Sequence, residues 1–233
     1  FVEGSPEERI FLRCFLQKWK RISAAIICMK RDKDVGRSVF MDAICIKDLK
    51  KDLKREMDDS RYEHTLGVMY TSAALAMRYE YDMERAMLAG LMHDCAKCIP
   101  NAKKLKLAEK NGLEITELER NNPFMLHAKV GAMLAKVKYD IDDEEVLGAI
   151  RWHTTGKPNM NLLEKIVYVA DYIEPRRDKA PNLKEIRKLA FMDLDLALLK
   201  ILEDTLGYLG DSPEEVDSMT RETYEYYKAQ IKG

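Results

Sequence analysis

The sequence predicts an all-α protein. Apolar residues recur at helical spacing along nearly the whole chain, and the stretches that carry them are separated by short breaks rich in Pro, Gly, Asn and Asp. One segment, "KIVYVADYI", has enough β-branched residues to suggest a strand, but no partner strand flanks it, so it too is read as helical.

The elements follow in order. Within residues 1–50, "ERIFLRCFLQKWKRISAAIICMKRDKDVGRS" reads as a basic amphipathic helix followed by a charged Gly/Ser break. It could be an accessory helix, a membrane-surface helix or a piece foreign to the domain that follows. In "RYEHTLGVMYTSAALAMRYE" (61–80), Leu66, Met69, Ala73, Ala76 and Met77 share helical spacing. "YDMERAMLAGLMHD" (81–94) opens on Asp82, whose carboxylate suits an N-cap. "NAKKLKLAEKNG" (101–112) starts after Pro100 and stops at Asn111-Gly112. Helices over 125–139, 143–153 and 161–173 come next, separated by "DIDD" and "TTGKPNM". Three more close the chain at about 183–191, 193–208 and 213–230.

With 233 residues, the chain can build one sizeable core, or one domain plus an appendage. Apolar residues make up 46% and charged ones 34%, with a net charge of −1. So neutral a balance gives no electrostatic case for nucleic acid or an anionic membrane. No apolar run approaches the roughly 20 residues of a spanning helix, and "ISAAIICM" (22–29) is short and flanked by Lys and Arg on both sides. Five cysteines, an odd and unevenly spread number, argue against a disulfide framework. Together these features suggest a cytoplasmic protein.

"LMHDCAKCIP" (91–100) concentrates the chemistry. His93-Asp94 could hold a metal, while Cys95 and Cys98 could form a redox pair or half of a zinc site. The redox reading expects a βαβ pattern and the zinc reading a second pair of cysteines, and neither is present. The chain has only four histidines, His64, His93, His127 and His153, each on an expected helix or at its end. Any one alone would read as a core residue. "VADYIEP" adds Asp171 inside an apolar stretch, where an unpartnered charge is costly. A bound cation would be an efficient partner, and imidazole plus carboxylate ligands suit iron, manganese, zinc or cobalt. Neighbouring side chains on a helix point about 100° apart, so His93 and Asp94 can share one ion only near a helix end, which Pro100 places just downstream. "GKP" (156–158) lacks the Gly-rich loop and following hydroxyl of a P-loop.

The order His64, His93-Asp94, Asp171 resembles the H…HD…D signature of HD-domain metal-dependent phosphohydrolases. "RYEHTLGV", "AGLMHDCAK", "LHAKVGA", "AIRWHTTGKPNMNLLEKIVYVADYIEPRR" and "EIRKLA" are similar, more narrowly, to the bacterial YqeK family of symmetrical bis(5′-nucleosyl)-tetraphosphatases. The likeness spans roughly residues 45–230, leaving an N-terminal extension, 1–44, unassigned. It implies an HD-domain helical bundle with an additional N-terminal helical segment. It further implies a single transition metal, iron by family habit, held by His64, His93, Asp94 and Asp171. A nucleotide pocket is implied at Arg61, His127, His153, Thr154 and Arg177. Cys95 and the turn "RRDKAPNL" depart from the usual family residues. The implied substrate is diadenosine tetraphosphate or another dinucleoside polyphosphate, the product ADP, and a homodimer is left open.

Within that reading, Asp94 would bind the metal and hydrogen-bond the attacking water, and Lys97 would reach a phosphate unless it is simply a solvated lysine. Two alternatives stay open: another HD phosphohydrolase activity, on a nucleoside monophosphate or cyclic nucleotide, or a non-catalytic metal- and ADP-binding regulatory domain. "TYEYY" (223–227) could stack adenine or simply pack. Every implied ligand lies beyond residue 44, so the N-terminal extension is expected to be dispensable for catalysis. A chain truncated to begin near Asp48 should fold and keep its kcat, and loss of soluble protein would show that the segment completes the core.

Overall fold

A computed structural model describes residues 46–210 and 216–232. The basic segment expected as a helix before residue 46 lies outside them. The chain divides into two compact units, residues 1–51 and 52–233, and the architecture below is that of the second.

The described residues form helices and no strand: α1 (Ile46–Glu56), α2 (Asp59–Arg78), α3 (Met83–Met92), α4 (Asn101–Lys110), α5 (Glu117–Asn121), a 3-10 turn (Pro123–Leu126), α6 (His127–Tyr139), α7 (Glu144–Trp152), α8 (Leu162–Ile173), α9 (Leu183–Leu189), α10 (Leu194–Leu209) and α11 (Ser218–Lys232). The all-α expectation is met, and "KIVYVADYI" is the buried helix α8. Two elements have no counterpart in the sequence reading, α1 and the short α5 with its 3-10 turn. The latter is held by local chemistry: Thr116 and Glu119 form a reciprocal capping box, and Pro123 opens the 3-10 turn.

Helix starts are set by side-chain caps. Asp82 accepts from the Arg85 N–H at 2.9 Å, as its place in the sequence suggests. Asp58 does the same for the Arg61 N–H at 2.8 Å, and Asn161 and Glu164 make a second capping box at the head of α8. Because Arg61 and His64 both lie in the first two turns of α2, the Asp58 cap fixes where they emerge.

α2 packs against α3 and α8, α3 against α7 and α8, and α7 against α6 and α8, so α8 runs through the centre. Its Leu163, Ile166, Val167, Val169 and Ala170 are fully buried, as are Val68, Met69, Leu75 and Ala76 of α2 and Leu91 of α3. The expected α2 face is correct for Met69, Ala73 and Ala76 but not for Met77, which is 64% exposed. The helix ends at Arg78, so Met77 sits on its free last turn. Tyr226 and Tyr227 pack as the plainer reading of "TYEYY" expects: the Met160 N–H donates to Tyr227 Oη at 3.0 Å, and the Tyr226 hydroxyl to Asn159 Oδ1 at 3.4 Å.

α2 and α3 approach closely at Gly90, where an added Cβ would lie 2.8 Å from Ser72 Oγ and 3.0 Å from the Met69 Cα. A backbone neighbour cannot yield as a side chain can. Gly90→Val should therefore force the pair apart at a cost of about 1–3 kcal/mol, a fall in Tm of roughly 2–12 °C for a domain of this size. An unchanged melting curve would show that the contact is not close-packed in solution.

Candidate metal and substrate site

The site is built where helices end. α3 stops at Met92, and the chain continues in tight turns, with N–H groups of Cys95, Lys97 and Ile99 donating to Met92, Asp94 and Ala96 at 3.1, 2.8 and 3.2 Å. His93 and Asp94 thus sit at a helix terminus, as sharing one ion requires. His127 begins α6, and His153 directly follows α7. His64 alone projects from a helix interior, the second turn of α2.

Three of the histidines are oriented in one way. Nδ1–H of His93 donates to the Gly90 carbonyl at 2.7 Å, that of His127 to Phe124 at 2.9 Å and that of His153 to Ile150 at 2.8 Å. Each acceptor lies three residues earlier, at a helix end where carbonyls lack intrahelical partners. A carbonyl can only accept, so the proton is on Nδ1 and the Nε2 lone pair faces the cluster. His64 uses a different acceptor, Glu174, at 3.0 Å from its Nδ1.

The four Nε2 atoms surround Asp94, which is 2% exposed. Asp94 Oδ2 lies 3.5 Å from His93 Nε2 and 3.9 Å from His64 Nε2, while Oδ1 lies 3.3 Å from His127 Nε2 and 3.6 Å from His153 Nε2. Asp171 joins on the α8 side, its Oδ1 3.1 Å from His64 Nε2 and 4.0 Å from His93 Nε2. Nε2 of His64, Nε2 of His93 and Oδ1 of Asp94 are buried without a hydrogen-bond partner. Such atoms are rare because each forfeits its solvation, and lone pairs converging on one point are what a cation offsets. Ligand atoms of three sets lie within 4.8 Å of one another: His64, His93, Asp94; His93, His153, Asp171; and Asp94, His127, His153. The donor set is imidazole and carboxylate, which fits a divalent transition metal.

Electrostatics agree with this donor set. Burial pushes the Asp94 carboxyl up, but the His93, His153 and His127 rings packed around it outweigh that and hold the group well below the usual range. Asp171 is likewise pushed up by burial yet held well down by His64, His93 and Arg177. Burial, with His153 and the Lys97 ammonium adjacent, drives His127 far below the ordinary imidazole value. Ionised carboxylates and a neutral imidazole are the forms that bind metals.

Cations ring the cluster. Arg61 donates to Asp94 Oδ2 at 2.8 Å, and Arg177 to Asp171 Oδ1 at 2.8 Å and to its carbonyl at 3.1 Å. Lys97 lies in the turns after α3 and not on a continuing helix, yet its Nζ reaches His127 Nε2 at 3.1 Å. Thr154, half-buried beside His153, is the one expected site residue that makes no hydrogen bond or ion pair into the cluster among the described residues. Cys95 and Cys98 are both free thiols. Cys95 is buried, donates to the Gly131 carbonyl at 3.4 Å, and is pushed by burial and the nearby Asp94 charge up to about 12, an inert thiol. Glu174, 1% exposed, is the buried group that the sequence reading passed over. Its signal was an acid one helical turn beyond Asp171, inside the same apolar segment.

A helical bundle that brings His64, His93-Asp94 and Asp171 into one cluster defines an HD-domain protein, and the HD domain model matches residues 61–176. The chain is 40% identical over 174 residues to a Bacillus subtilis protein named symmetrical bis(5′-nucleosyl)-tetraphosphatase, covering 75% of this chain and 92% of that one. A Halalkalibacterium halodurans protein of the same name is 38% identical over 172 residues, covering 74% and 91%. A crystal structure from Clostridium acetobutylicum, described as a predicted HD superfamily hydrolase involved in NAD metabolism, is 41% identical with a TM-score of 0.76, covering 80% of this chain and 98% of that one. This chain belongs to the family of symmetrical bis(5′-nucleosyl)-tetraphosphatases.

Proposed function

We propose that this chain is a metal-dependent hydrolase that cleaves diadenosine tetraphosphate, or a close dinucleoside polyphosphate, at its centre into two ADP molecules. The observation that carries the reading is the convergence of four imidazole Nε2 atoms and two ionised carboxylates within a ring of Arg61, Lys97 and Arg177. The family membership of the chain supports the same activity.

In this reading His64, His93, Asp94 and Asp171 hold one transition-metal ion, with iron, manganese, cobalt and zinc all suited to the donor set. When bound, the ion supplies Lewis-acid polarisation of a phosphate oxygen and makes water more acidic. The chain's own residues do the rest. Asp94, kept ionised, hydrogen-bonds the attacking water. Arg61, His127, His153, Thr154 and Arg177 hold the phosphates and the adjoining ribose, Arg with the fork that matches two phosphate oxygens. Lys97 neutralises charge that develops on the departing phosphate. Phosphoryl transfer needs little beyond such positioning and neutralisation. A pocket that takes one ADP moiety sets the scissile bond after the second phosphate, which makes the cleavage symmetrical. The free thiols fit a reducing compartment such as the cytoplasm. Among the described residues no helix is long and apolar enough to cross a membrane.

A second reading rests on a specific contact set. Asp94, His127 and His153 offer atoms within 4.8 Å of one another, so Asp94 could bridge two ions. The two readings part at His153→Ala. As a phosphate contact, His153 would take up a proton at Nε2 when the polyanion binds and contribute one charge-assisted hydrogen bond, about 1.5–3 kcal/mol, so kcat/KM should fall roughly 10- to 150-fold with metal content unchanged. A fall from two ions to one, with activity nearly gone, would establish the two-metal site.

Chromatography of products from the metal-loaded enzyme and diadenosine tetraphosphate tests the activity. ADP should be the sole nucleotide formed, and equal ATP and AMP would refute symmetrical cleavage. Asp94→Ala and Asp171→Ala should each lose both bound metal and turnover. Full metal occupancy in both variants would overturn the ligand assignment.

A further inference from the structure

The geometry points to Glu174 as a positioning residue of the site, a buried carboxylate whose negative charge orients His64 and strengthens its Nε2 as a ligand. The inference rests on the metal-holding reading of the cluster.

His64 differs from the other three histidines in where it stands. They occupy helix ends and use unpaired backbone carbonyls three residues back. In the interior of α2 those carbonyls are consumed by the helix itself, so His64 must find an acceptor outside its own helix. It finds Glu174 Oε1, at 3.0 Å, from the end of α8. The other carboxylate oxygen of Glu174 accepts from the Arg176 N–H at 2.7 Å, and its carbonyl accepts from the Arg177 N–H at 3.0 Å.

Two further residues keep this carboxylate in place. A Cβ at Gly67, one turn beyond His64, would lie 2.5 Å from Glu174 Oε2 and 3.2 Å from its carboxyl carbon, so the absence of a side chain there makes the slot. Arg187, on α9, donates to the carbonyls of Ile173, Glu174 and Arg177 at 2.9, 2.9 and 2.8 Å. It thereby fixes the turn that carries both Glu174 and the phosphate-side Arg177. A buried carboxylate is costly, and a neutral acceptor would satisfy one imidazole N–H as well. The charge itself is what a neutral acceptor lacks, because an anion behind an imidazole raises the basicity of the opposite nitrogen.

Glu174→Gln tests the charge, since the amide oxygen can still accept from Nδ1–H, while the amide nitrogen replaces the oxygen that accepts from the Arg176 N–H. Calorimetric titration of the metal-free protein with Mn²⁺ should show wild type binding and Glu174→Gln binding about 10- to 100-fold more weakly, with the helical signal of the metal-free protein unchanged. Gly67→Ala, which alters no charged or polar group, should push the carboxylate off His64 and weaken Mn²⁺ binding in the same direction. It decides the matter alone if Glu174→Gln does not fold. Wild-type affinity in the folded variants would overturn the inference. Failure of wild type itself to bind Mn²⁺, Co²⁺ or Zn²⁺ would instead overturn the metal reading, and this one with it.

Discussion

The site depends on where four protons sit. Each histidine commits Nδ1–H to a fixed acceptor, a helix-end carbonyl for His93, His127 and His153 and the Glu174 carboxylate for His64. That assignment leaves four Nε2 lone pairs facing Asp94, and it holds the rings in place as well as setting their tautomers. Were the proton of His64 or His93 on Nε2, a lone pair would be replaced by a donor and the ligand set would be incomplete.

Helix termini make the arrangement affordable to a small bundle. A helix interior satisfies its own backbone, whereas its end leaves carbonyls that need partners. His93 and His153 take up such carbonyls at the ends of α3 and α7. The same bonds therefore complete the helices and aim the ligands. Close packing of α2 on α3 at Gly90, and of both on α8, brings the His64 and His93 rings to within 5.4 Å, centroid to centroid, and sets Asp171 beside them.

Charge balance gives the site its preference. Asp94 and Asp171 are matched by Arg61, Lys97 and Arg177. A divalent cation added to this set makes the region strongly positive in a chain whose net charge is only −1. The positive field is therefore local, which suits a polyphosphate. The CxxC, by contrast, is incidental: Cys95 packs against α6 through the Gly131 carbonyl, and Cys98 lies exposed with its Sγ 3.7 Å from Asp58 Oδ2.

The sequence by itself determined the helical class, most helix boundaries and the residues of the cluster. Periodicity and a cap such as Asp82 are local physics, acting within three or four positions of chain. The histidines stood out because there are only four, and His93-Asp94 because adjacency needs a helix end. What lay beyond reach was every relation between residues distant in the chain. Glu174 meets His64 across 110 positions, and His127 meets His153 across 26. Nothing local marks Glu174 as a partner of His64, or Gly67 as the space that admits it. Only the packing of α2, α3, α7 and α8 decided which lone pairs converge, because long-range contacts are set by how helix faces bury one another and not by the order of residues along them.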